Sequence, residues 1–142
     1  MSANRFVRRV PEDVFDWVAD YRNVPRVMAG ISEWRPLGRQ AEGVGARYQV
    51  ALGELPIPLR ARLLIVEWNR PEAIGWATES GPLTNHGRWS FGREAEGTEV
   101  ELAVTYQPPA GGLGNIVAGG IEGIVRGRIV AALDRMKEEL ER

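Results

Sequence analysis

One histidine and no cysteine stand in the 142 residues, and that scarcity limits the chemistry available to the chain. The histidine is His86. A metal bound there would take its other protein ligands from carboxylates, because no second imidazole and no thiolate exists. The expectation is a protein with neither metal nor cofactor. As a general base, His86 would have to face a substrate, and the alternation of residues 84–91 turns it away. It is predicted to be a surface histidine on a strand. Ser32, Ser80 and Ser90 lie outside any GxSxG context, and the same lone histidine would have to activate whichever of them acted. The glycines of Gly43–Gly45 (GVG) and Gly111–Asn115 (GGLGN) lack the Walker lysine and the strand–GxGxxG–helix order of phosphate loops. They are predicted to be turns.

The aromatic residues point elsewhere. Trp17, Trp34, Trp68, Trp76 and Trp89 fall in different predicted elements. They build either a large aromatic core or the wall of a cavity. Pockets for apolar ligands use aromatic and aliphatic walls with a few placed polar groups. The candidate wall is Trp34, Tyr48, Trp76, Trp89 and Tyr106, with Val50, Leu63, Leu102 and Val104 from the apolar faces of the strands. Asn85 shares the parity of Trp89, and Thr78 that of Trp76. With the tyrosine hydroxyls they supply orienting hydrogen bonds.

These residues need elements to hold them. Arg5–Val10 alternates weakly, which predicts a first strand. Pro11 suits a first helical turn, with Glu12 and Asp13 at the positive end of the dipole. Val14, Trp17, Val18 and Tyr21 then share one face, predicting a helix over Pro11–Asp20. Asn23 and Pro25 start a second short helix that ends near Gly30. From there the period is two. Strands are predicted over Ile31–Leu37, Val44–Leu52, Leu59–Trp68, Ala73–Glu79, Thr84–Phe91 and Thr98–Tyr106. Counting from the REAEG turn puts Trp89 and Phe91 inward with Val100, Leu102 and Val104, and His86 and Arg88 outward. The GELPIPL segment, with Leu55, Ile57 and Leu59, is either a packed loop or a lid or docking surface at a cavity mouth.

Residues 113–142 form a long amphipathic helix, with Leu113, Val117, Ile121, Ile124, Val125, Ile129, Leu133, Met136 and Leu140 at helical spacing. Gly119, Gly120, Gly123 and Gly127 interrupt it. Each costs about 0.8–1 kcal/mol against alanine. A small-residue trough beside Val117, Ile121 and Ile124 offsets that cost in one of three ways. It brings the helix close to the sheet, or roofs a cavity with Gly120 at its centre, or seats a partner helix.

Composition narrows the class. Lys plus Arg numbers 18 against 19 for Asp plus Glu, a net charge of −1, which argues against nucleic acid as a partner. No apolar leader stands at the N-terminus and no run is long enough to span a bilayer. A cytoplasmic single domain over residues 1–142, without stable membrane insertion, is expected. The elements combine into an α+β fold. A curved antiparallel sheet of about six to seven strands wraps around a long C-terminal helix, and two short helices follow the first strand.

The chain resembles the SRPBCC superfamily, the START and birch-pollen-allergen-like helix-grip proteins. Within it, the bacterial polyketide cyclase/dehydrase and coenzyme-Q-binding-like families are most similar. The resemblance rests on VPEDVFDWVADYRNVPRVM, GVGARYQV, HGRWSFGREAEGTEVELAVTYQPP and the closing LDRMKEELE, and it covers nearly the whole chain. It implies a hydrophobic cavity between sheet and helix that holds lipids, isoprenoids or polyketides, in proteins of which many are not enzymes. A carrier or sensor of a small hydrophobic ligand is therefore expected, as a monomer or a homodimer. The alternatives are a polyketide cyclase or dehydratase working in the same cavity, and a protein-interaction module.

Overall fold

The computed structural model describes residues 1–52, 59–81, 84–107 and 114–142, with backbone alone for Leu52, Leu59, Tyr106, Gln107 and residues 114–122. The order is β1 (Ser2–Val7), α1 (Pro11–Ala19), a 3-10 turn (Tyr21–Asn23), α2 (Val24–Val27), β2 (Ile31–Leu37), β3 (Arg47–Leu52), β4 (Leu59–Asn69), β5 (Ala73–Ser80), β6 (Thr84–Glu94), β7 (Gly97–Gln107) and α3 (Gly114–Leu140). Among the described residues seven strands make one sheet, ordered β1-β7-β6-β5-β4-β3-β2, with every neighbouring pair antiparallel. Register shifts in β2 and at two places along β4 bend the strands, and the sheet curves around α3.

Several boundaries differ from the sequence expectation. The first strand covers Ser2–Val7, not Arg5–Val10. Its pairing with β7 stops at Val7↔Thr98, where β7 begins at the hairpin turn after β6. The backbone passes so close there that a Cβ on Gly97 would lie 2.1 Å from the Val7 carbonyl. The second helix is a 3-10 turn and one α-turn, because Met28 is already extended and Gly30 has φ +85°. The third strand begins at Arg47, since Gly43 and Gly45 take positive φ, a conformation that glycine adopts without strain. The Gln40 side chain fastens this loop by donating to the carbonyls of Glu42 and Val44, both at 3.0 Å.

The packed core fills one end of the grip. Ile129, Ala132, Leu133, Met136 and Leu140 of α3 are buried at the spacing of a single helix face. They join Val7, Val14, Phe15, Val100 and Leu102 in one cluster. Phe15 meets Phe91 and Trp68 edge-on at 5.8 and 5.4 Å. Arg5 pairs with Asp134 at 2.8 Å and Arg9 donates to the Leu140 carbonyl at 2.9 Å, which tethers this half of α3 to the N-terminal segment.

The other half of α3 differs. Gly123 and Gly127 are exposed, and a Cβ on either would meet nothing within 4 Å. Close approach to the sheet therefore does not explain these two glycines. The surroundings of Gly119 and Gly120 lie outside the described residues. Gly123→Ala and Gly127→Ala should each raise stability by about 0.5–1 kcal/mol, through helix propensity and a less flexible unfolded chain. Denaturant unfolding checks this, and a loss of stability would mean that the face is covered.

Candidate functional site

Beyond the packed end, sheet and helices separate around a cavity of about 650 Å³, within the usual range of small-molecule pockets. Trp34, Tyr48 and Val50 form one side of the sheet wall; Leu63, Trp76, Asn85, Trp89 and Val104 form the rest. These residues face inward because they share the inner parity of their strands. The helical side is Trp17, Val18 and Tyr21 around α1, Val27 and Met28 at α2, and Ile124, Val125, Arg128 and Ile129 on α3. Ile124 is 56 % exposed, so it stands at the mouth.

The wall is set by aromatic contacts and a few hydrogen bonds. Trp34 stacks on Tyr48 with centroids 5.4 Å apart, and Tyr21 tilts against Tyr48 at 6.3 Å. The Tyr48 hydroxyl donates to the Ala41 carbonyl. The indole of Trp76 lies over Gly87, where a Cβ would come within 2.2 Å of the ring; any side chain at Gly87 displaces that indole. Trp76 Nε1 donates to Asn85 Oδ1 at 2.9 Å. Asn23 donates to the Trp17 carbonyl at 2.8 Å and accepts from Arg26 at 3.2 Å.

Among the described residues, the charged residues lining the cavity are Arg60 and Arg128, and no Asp, Glu or His lines it. Gly30 makes room for Arg128, since a Cβ there would sit 2.7 Å from its Nη2. Burial pushes the Tyr48 hydroxyl up to about 12, reinforced by the negative charge of Glu42 and by neighbouring Tyr21. The unfolded chain ionises this tyrosine near its ordinary value of about 10. The stability that comes from keeping it neutral is whole below that pH and is lost as pH rises through about 12. Denaturant unfolding should therefore show stability falling between those values, and Tyr48→Phe should flatten the fall.

Of the residues predicted from sequence, the structure brings Trp34, Tyr48, Val50, Leu63, Trp76, Asn85, Trp89, Val104 and Ile124 to this wall. Two others sit apart from it. Leu102 is fully buried in the packed core. The Thr78 hydroxyl donates to the Asn85 carbonyl and accepts from the Asn85 N–H, each at 2.9 Å. It thereby carries on the β5–β6 ladder, whose last backbone pair is Ala77↔His86. The side chains of Tyr106, Val117 and Ile121, the surroundings of Gly120, and the GELPIPL loop over residues 53–58 with the Leu59 side chain lie outside the described residues. His86 and Arg88 are exposed on the opposite face, with Arg88 paired to Glu67 at 2.7 Å. Sequence reasoning missed the contribution of α1 and α2. The shared face of Trp17, Val18 and Tyr21 signals burial, but periodicity does not say against what.

A curved antiparallel sheet gripping a C-terminal helix above an apolar cavity is the helix-grip, START-like fold of the SRPBCC superfamily. The chain belongs to the family described as polyketide cyclase / dehydrase and lipid transport, whose model matches residues 1–141. Its fold is similar to TTHA0849 from Thermus thermophilus, at a TM-score of 0.84 and 19% identity over 99% of this chain and 95% of that one. It is similar to the Zhui aromatase/cyclase from a Streptomyces species, at 0.82 and 18% over 100% and 93%. A START superfamily protein from Mycobacterium smegmatis matches at 0.72 and 16% over 99% and 97%. No curated protein matches the chain in sequence. No described helix is long and apolar enough to cross a membrane.

Proposed function

We propose that the protein binds a small hydrophobic ligand, of lipid, isoprenoid or polyketide-like chemistry, and serves as its carrier or sensor. The observation that carries this reading is the cavity of about 650 Å³ walled by Trp34, Tyr48, Trp76, Trp89 and aliphatic side chains. The family description supports it, since it spans polyketide cyclases, dehydrases and lipid transport.

The same description supports a cyclase or dehydratase. Proton chemistry favours binding over that alternative. A general acid or base works best with a pKa near the operating pH. No carboxylate or imidazole lines the described wall, and the Tyr48 hydroxyl is committed to Ala41 and held well above neutrality.

Native mass spectrometry of the purified protein should show a stoichiometric hydrophobic adduct. After delipidation, the neutral probe N-phenyl-naphthylamine should bind saturably at one site. A protein of bare mass that shows no saturable probe binding would defeat this reading.

A further inference from the structure

The hydrogen bonds around Asn85 leave one group over, on a residue that lines the cavity. The Asn85 backbone is consumed, because its N–H and carbonyl both bond the Thr78 hydroxyl. Its side-chain oxygen is consumed as well. An indole N–H can only donate, so the atom 2.9 Å from Trp76 Nε1 must be the amide oxygen. The amide cannot turn over without setting two donors against each other. Nδ2, with two N–H donors, then remains, and no described residue accepts from it. No buried side-chain nitrogen or oxygen among the described residues lacks a partner, so Nδ2 is not sealed inside protein. Asn85 lines the cavity, and no carboxylate among the described lining residues competes for those donors.

We infer that Asn85 is the specificity-determining residue of this cavity, and that it selects a ligand carrying an acceptor oxygen, above all a carbonyl, on an apolar skeleton. This rests on the binding reading above. Trp76 is the positioning residue: its indole lies over Gly87 and holds the amide with the donors facing the ligand. A site built around buried donors rejects an analogue that cannot accept, because the donors are then desolvated without a partner.

Acetylnaphthalene and ethylnaphthalene have nearly the same shape and differ in one carbonyl oxygen. Their dissociation constants are measured by quenching of tryptophan fluorescence, and the quantity read is the acetyl-to-ethyl affinity ratio. Asn85→Asp keeps an acceptor for Trp76 and loses both donors, and should lower that ratio about tenfold, the worth of one hydrogen bond. Trp76→Phe leaves Asn85 in place and frees its amide to rotate, so it should lower the ratio too. His86→Ala, on the outer face, should leave it unchanged. Circular dichroism melts establish that each variant is folded. Should Asn85→Asp not fold, Trp76→Phe carries the test alone. A ratio unchanged in the folded variants overturns the role of Asn85 and leaves cavity binding intact. Failure of acetylnaphthalene to bind the wild-type protein overturns the binding reading and this inference with it, whereas failure of ethylnaphthalene alone is the selectivity expected.

Discussion

Trp89→Ala is expected to cost about 3–5 kcal/mol, the usual range for truncating a buried tryptophan. The side chain is 7 % exposed. It lies between Ile74 of β5 and Leu102 of β7 in the ladder and stacks on Phe91 at 6.5 Å with ring planes 11° apart. Truncation removes that apolar area from the protein interior and cuts the support under one cavity wall. The loss is a large share of the ~5–15 kcal/mol that holds a domain together. At roughly 3 °C per kcal/mol for a chain of this size, the melting temperature should fall by about 10–15 °C. The adjacent Arg88→Ala gives the contrast. Its ion pair with Glu67 is about half exposed, and such pairs contribute about 0–1 kcal/mol. Thermal unfolding of the two variants side by side checks the assignment of inner and outer faces. Equal small effects would mean that the Trp89 ring supports nothing.

Val50→Trp should abolish binding while sparing the fold. Val50 sits on β3 between Trp34 and Ala61 in the ladder and lines the cavity. An indole there extends into open space, so the cost of overpacking a dense core does not arise. The melting temperature should stay close to that of the wild type. Affinity for N-phenyl-naphthylamine should fall roughly a hundredfold or more, equivalent to about 2.8 kcal/mol. A folded variant that binds the probe with unchanged affinity would put the ligand somewhere other than this cavity.

Much of the wall follows from strand alternation. Trp89, Phe91, Val100 and Val104 all face inward because side chains alternate along a strand and a hairpin turn sets the parity of both arms. The exclusion of His86 from the cavity follows from the same rule. So does the buried stripe Ile129, Leu133, Met136, Leu140, from helical spacing. Alternation gives direction without depth. Leu102 and Val104 share a parity, yet Leu102 lies in the packed core and Val104 on the cavity wall. What separates them is whether packed neighbours or open space lies in front of each side chain.

The lone histidine, the absent cysteines, the inward parity of Trp89 and Val104, and a long helix set against a meander of strands are local properties, and the sequence alone determined them. The tertiary structure decided which inward residues meet each other and which meet open space. It turned the apolar face of α1 and α2 into a cavity wall. It left Gly123 and Gly127 uncovered and set Thr78 against the backbone of Asn85 and Trp76 against its side chain. The physical reason is that hydrogen bonding and packing across strands depend on register and on the gap beneath the helix, and neither is a property of any one segment.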